Sequence, residues 1–220
     1  MSDRLRDAGG HAANPTSAAS PRSTSHRLSC RCGTLTGYVG RRKTRRGVCY
    51  CRDCQAYAHA LGSDAAVLDA QGGTDVVATM QSNVTLTHGT EALACLSLSP
   101  NGLLRWYASC CNTPIANTTR NRRMSYVGLV HTCLHDASES LDEAFGPVRM
   151  RVNTRSARGP VKSTPFGTLT AVAGLSLALV RARIDGSYRR TPFFDSDGMP
   201  VASPRILTRE ERARAMNAGR

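Results

Sequence analysis

Cys49-Tyr50-Cys51-Arg52-Asp53-Cys54 puts three thiols within six residues, and Cys30-Arg31-Cys32-Gly33 puts two more a short distance upstream. A third group follows at Cys110-Cys111-Asn112-Thr113-Pro114, while Cys95 and Cys133 stand alone. Short C-x-C and C-x-x-C spacings let one turn present two sulfurs to one metal, and glycine after the first pair permits the tight backbone such a turn needs. Buried cysteines acting as small apolar residues seldom cluster in this way, so that plainer reading is kept for Cys95 and Cys133. The seven clustered thiols divide as four and three. Cys49, Cys51 and Cys54 need no remote partner. Cys30 and Cys32 must find theirs elsewhere, and Cys110 and Cys111 are the available ones, which would clamp strands that lie far apart in the chain.

Outward from these clusters, the surrounding chain reads as β. Leu35–Val39, Asp75–Met80, Val84–Thr87, Leu93–Leu98 and Leu103–Ala108 are short apolar stretches separated by turn residues, and Asn101-Gly102 is a tight-hairpin signal. Gln55–Leu61 is Ala-rich and reads as one or two helical turns. The expected fold is therefore a mostly β, metal-stapled antiparallel domain over residues 28–135. Residues 1–27 are rich in Ser, Ala, Gly, Pro and Arg and read as a disordered tail. Residues 136–220 read as a partly helical extension: a helix at Glu139–Phe145, a basic polar linker at Arg149–Lys162, an uncharged Ala/Leu-rich helix at Phe166–Val180, and an exposed charged helix at Thr208–Asn217 with Glu210 and Arg214 at i,i+4 spacing. The uncharged helix could lie on a membrane surface. The preferred reading packs it on the domain, with no membrane span.

Composition narrows the class. The 220 residues suffice for a real core, but aromatics make up only 5%, so cohesion must come from elsewhere, and the cysteines are the candidates. Lys+Arg outnumber Asp+Glu by 29 to 16, for a net charge of +13. An apolar segment behind the N-terminal charges is lacking, so a secretory signal is not expected and the expected location is cytoplasmic. In a reducing compartment, and with an odd count of 9, the cysteines read as metal ligands or catalytic thiols rather than disulfides.

A four-thiol site is closed and structural, whereas a three-thiol site leaves a position for water or substrate. Zinc on three thiolates is a weaker Lewis acid than zinc on three imidazoles, but stays soft, so an external thiol suits it as a partner and would be deprotonated there. This favours thiol chemistry over hydrolysis. Arg52, and the run Arg41-Arg42-Lys43-Thr44-Arg45-Arg46 ahead of the triplet, could attract an anionic thiol; the plainer reading of that run is a solvated loop. Tyr50, Asp53 and His59 are near enough in sequence to be general-acid candidates, though each reads first as structural.

The pattern C-x-C-G, then C-x-C-x-x-C, then a strand leading into C-x-x-C-G-T-P resembles the glutathione-dependent formaldehyde-activating family, which includes centromere protein V. Here it falls on Cys30–Gly33, Cys49–Cys54 and Arg105–Pro114, and the resemblance covers about residues 28–134. It implies a zinc-stapled β fold (β-tent-like) with one structural and one labile catalytic zinc. The implied reaction is condensation of formaldehyde with glutathione, classed by its reverse as a carbon–sulfur lyase. By position Cys49, Cys51 and Cys54 match the catalytic ligands, Cys30 and Cys32 match half of the structural site, and Cys111 matches the second Cys of the third motif. The first Cys of that motif falls on Ala108. Cys110 could substitute, although adjacent residues reach one tetrahedral metal with difficulty; otherwise the site is three-coordinate, borrows a ligand or is empty. The expected partners are a small thiol such as glutathione and a small aldehyde. The alternative is a non-catalytic zinc module that binds a partner such as nucleic acid.

Overall fold

The computed structural model describes residues 24–134 and 136–218. The strands are β1 (Ser25–Ser29), β2 (Thr36–Gly40), β3 (Arg45–Cys49), β4 (Thr74–Met80), β5 (Val84–His88), β6 (Leu93–Ser97), β7 (Leu104–Ala108), β8 (Thr113–Thr118), β9 (Tyr126–Val130), β10 (Met150–Val152) and β11 (Arg205–Ile206). The α-helices are α1 (Arg52–Ala60), α2 (Asp64–Val67), α3 (Leu141–Phe145), α4 (Pro165–Ile184) and α5 (Arg209–Asn217). The protein is mostly β, as its sequence predicts. A small antiparallel sheet runs β1-β2-β5, and a large one runs β10-β3-β4-β9-β8-β7-β6-β11.

The first strand starts earlier than the sequence suggests. Ser25–Ser29 pairs with β2, and His26 and Leu28 face inward, so the segment read as tail is sheet from Ser25 onward. The reading of residues 1–23 as disordered lies outside the described residues. The stretch after α3 is more than a polar linker. Met150–Val152 adds to the open edge of β3 as a parallel strand, and Gly47 has room for no side chain there because a Cβ would fall 2.8 Å from that of Met150. β11 covers the opposite edge, in parallel with β6. Both outer strands of the large sheet thus come from the C-terminal chain, which leaves neither β3 nor β6 as a bare edge.

Trp106 is the single tryptophan, and it is fully buried. Phe193 lies against its ring at 5.2 Å between centroids and Phe194 at 6.3 Å, while its indole N–H donates to the Thr118 hydroxyl. Leu28, Leu35, Val77, Ile115 and Leu129 complete this core from both sheets. A second cluster joins α1 to α5 through Ala56, Tyr57, Leu61, Leu207 and Ala215. Helix α5 is therefore docked along one side, and its first turn is fixed by a capping box between Thr208 and Glu211. The ion pair it makes is Arg205–Glu211.

The run at 41–46 is a solvated loop only in part: Arg42 and Lys43 are exposed in the turn before β3, while two of its arginines are paired. Arg41 is clamped by Glu139, and Arg46 by Asp75 and Asp142, so these charges tie β3 to β4 and to α3. They sit at the end of β3 away from Cys49, about 10–13 Å along an extended strand.

Helix α4 packs on the domain, as expected at Phe166–Val180, but only through one narrow stripe in which Ala171 and Ala182 are buried. It is 20 residues long and apolar enough, by length and composition, to cross a membrane, and only 11% of its most apolar window is buried. Phe166, Leu169, Leu177, Val180 and Ile184 are all exposed.

The Trp106–Phe193 contact carries a direct expectation. Phe193→Ala should destabilise the fold by about 3–5 kcal/mol, the usual range for emptying a fully buried phenylalanine site. Chemical denaturation monitored at Trp106 measures this, and a loss below about 1 kcal/mol would show that the C-terminal chain is not part of the core.

Candidate metal centres

The Sγ atoms of Cys30, Cys32, Cys110 and Cys111 all lie within 4.8 Å of one another and could hold a metal ion. Cys30 directly follows β1, and the turn after it closes by a bond from the Gly33 amide to the Cys30 carbonyl. Gly33 has φ +79°, the left-handed region its sequence position anticipates. Cys110 and Cys111 follow β7, where the chain reverses through Asn112 at φ +54°. That reversal resolves the difficulty of adjacent ligands, since both sulfurs join the cluster. Sulfur separations are 3.6 Å for Cys30–Cys32, 3.8 Å for Cys30–Cys110, 3.3 Å for Cys32–Cys110 and 3.8 Å for Cys110–Cys111. Four thiolates at 2.3 Å from a tetrahedral metal are about 3.8 Å apart, so the set fits closely. The Leu35 amide donates to the Cys30 sulfur. Hydrogen bonds from Thr34 pull Cys32 down to about 6, while desolvation and bonding to Cys32 push Cys110 up to about 12.

Cys49, Cys51 and Cys54 form a second group of the same tightness. Cys49 ends β3, Cys51 caps α1 by accepting from the Cys54 amide, and Cys54 lies in the first turn. Here the thiols hold one negative charge between them. Bonds from Cys51 and Cys54 pull Cys49 far down, and the same bonds raise Cys51 and Cys54. Further deprotonation is opposed by repulsion from the first thiolate, which a bound cation would offset.

Two residues that the sequence reading missed hold this group. Arg105, buried on β7, donates to the Cys54 sulfur at 4.0 Å and to the Asn117 side chain, and lies over the Tyr57 ring. Asn153, just after β10, donates to Cys49 at 3.3 Å from a left-handed backbone at φ +57°. An Arg inside an apolar strand is the one local signal that could have flagged the first; nothing near Asn153 flags the second. The general-acid candidates point elsewhere. Tyr50 donates to Asp69, His59 faces Asp64, and Asp53 is exposed. Tyr126 on β9 is different: burial and the charges of Cys54 and Cys49 push it up to about 12. Beside α1, a cavity of about 430 Å³ is lined by Arg52, Arg155 and Arg158 together with Gln55 and His59. A larger cavity, about 1150 Å³, opens instead beside Cys30, Cys32 and Cys111. Cys95 and Cys133 are buried singly, and burial raises both thiols, in keeping with an apolar packing role.

A mostly β chain with one four-thiol and one three-thiol cluster, each able to hold a metal ion, is what the fold and sites define. The chain belongs to a family of unknown function, DUF6151, which residues 22–204 match. No curated protein matches it. Among solved structures it is similar to a Rhodobacter sphaeroides protein from structural genomics, at 17% identity and a TM-score of 0.35, over 56% of this chain and 96% of that one.

Two bound metal ions per chain are expected by plasma mass spectrometry. Cys110→Ala and Cys111→Ala should each lose one ion to a mild chelator and keep the other, whereas Cys51→Ala should show the converse; full retention in both Cys110→Ala and Cys111→Ala would remove this pair from any site. Cys51, Cys54 and Cys110 are raised and so hold protons at neutral pH. Metal must displace those protons, so affinity falls as pH falls, and adding metal to metal-free protein in weak buffer should acidify the solution.

Proposed function

We propose that the protein is a zinc-dependent thiol-handling enzyme of the formaldehyde-activating type, working at Cys49, Cys51 and Cys54. The observation that carries this reading is the inequality of the two clusters: four thiols close a tetrahedron, whereas three leave one position open. An all-thiolate donor set suits zinc. On this reading Cys30, Cys32, Cys110 and Cys111 hold a structural ion and the trio holds a labile one. Bound zinc supplies the power to acidify a small thiol at neutral pH.

The remaining work falls to the chain. Arg105 offsets the negative charge of the trio from the buried side, and Asn153 fixes the Cys49 sulfur. Arg52, Arg155 and Arg158, rather than the run at 41–46 toward the far end of β3, supply positive charge beside α1 for a carboxylate-bearing thiol such as glutathione. Tyr126 keeps its proton at neutral pH, and Gly128 leaves room for its hydroxyl, so it is the candidate to donate to a carbonyl oxygen. The reaction is an addition: a C–S bond forms between thiol sulfur and aldehyde carbon, the C=O π bond breaks, and the thiol proton ends on oxygen. Because this addition proceeds unaided, most of the gain is proximity and thiolate supply.

The test is exchange NMR of glutathione and formaldehyde with zinc-loaded protein. Adduct formation should exceed buffer, and it should fall to the buffer rate in Cys51→Ala. Tyr126→Phe should lower the rate without loss of metal. Equal rates for protein, Cys51→Ala and buffer would falsify the proposal for this substrate pair and leave a non-catalytic zinc module that binds a partner.

A further inference from the structure

Helix α4 turns a stripe of small residues toward the domain, with Leu175 and Leu179 half-buried beside it, and exposes most of its other large residues. Gly167, Ala171, Gly174, Ala178 and Ala182 recur at three- and four-residue spacing and form the inward stripe. Two contacts show how close that stripe lies to the domain: a Cβ on Gly167 would fall 2.2 Å from the Arg149 carbonyl oxygen, and one on Gly174 would fall 3.2 Å from the Arg45 guanidinium. On the opposite side Phe166, Leu169, Ala173, Leu177, Val180 and Ile184 recur at the same spacing. Phe166 is 78% exposed and Ile184 82% exposed. A surface helix of a water-soluble fold shows the reverse order, with large apolar residues inward and charge outward.

The charge around this face is mainly positive, the exception being Asp185 at the C-cap, which feels Arg181 and Arg190. From Gly146 to Ile184 the chain carries seven cations and no carboxylate. Arg181 and Arg183 fall on either side of the outward stripe at 3.6 residues per turn, with Lys162 just before the helix. A cleft of about 510 Å³ at the first turns of α4 is lined by Lys43, Arg45 and Arg149 beside the paired Arg41 and Arg46. Among the described residues no carboxylate pairs with Lys43, Arg45 or Arg149.

The geometry points to a docking surface for an anionic lipid bilayer. The outward face of α4 enters the headgroup boundary, while Arg181, Arg183 and the basic cleft meet lipid phosphates. The inward stripe holds α4 along the flank of the sheet from Gly167 to Ala182, which sets the helix in the membrane plane rather than across it. This inference is independent of the thiol chemistry proposed above.

Flotation of the full chain with vesicles tests it. Vesicles of equal parts phosphatidylcholine and phosphatidylglycerol should carry the protein, roughly tenfold or more over phosphatidylcholine alone, with the excess lost in high salt. Leu169→Asp/Leu177→Asp should abolish flotation while metal content and near-ultraviolet circular dichroism stay unchanged, because both side chains point away from the domain. Lys43→Glu/Arg149→Glu should remove the preference for anionic lipid. Failure of the parent protein to float with either vesicle overturns the proposal, as does flotation that survives Leu169→Asp/Leu177→Asp. A dimer in sedimentation equilibrium that Leu177→Asp dissociates, without vesicle binding, assigns the face to a second copy of the chain instead.

Discussion

Thiolates repel one another, and the rest of this structure is arranged around that repulsion. Seven sulfurs crowd into two places, each group lying within 4.8 Å. Neutral thiols would gain little from such crowding, and ionised ones would lose a good deal. In the second cluster the contacts among the thiols lower Cys49 and raise Cys51 and Cys54. A shared cation turns the repulsion into attraction, and the clusters then join β1 to the end of β7, and the end of β3 to the start of α1. A chain with few large aromatic rings gains from those links what a bigger core would otherwise supply.

The second source of cohesion is the returning C-terminal chain. It covers both edges of the large sheet and brings Phe193 and Phe194 to Trp106. The same return places Asn153 on Cys49 and Arg155 and Arg158 beside α1. Part of the three-thiol site is therefore assembled from residues about a hundred positions downstream of its ligands. Fold closure and site completion are one event, since the turn that supplies Asn153 leads directly out of the strand that covers β3.

Charge is partitioned along the molecule. Arg41 and Arg46 are spent on Glu139, Asp75 and Asp142 and serve packing. The arginines at α1 and after β10 line a cavity beside α1, and those at α4 flank an apolar face. An overall +13 thus describes three local situations with different physical consequences.

The sequence by itself determined the candidate metal-binding cysteines and five of the eleven described strands. Cysteine spacing is a local property, and so are period-two alternation and turn residues such as Asn101-Gly102; this is why the five short strands and α1 fall close to where the pattern puts them. It also determined that Cys95 and Cys133 stand apart. What only the tertiary structure decided was non-local. Two adjacent thiols reach one site because Asn112 turns the chain at positive φ. Met150–Val152 is a strand because β3 offers an unpaired edge, although its own three residues carry no strand signal. Arg41 and Arg46 became structural because acidic partners arrive from β4 and α3. In α4 the pattern was uninformative because both faces are apolar; which face the domain covers depends on the close approach that Gly167 and Gly174 permit, and residue size, not polarity, chose the small side to bury.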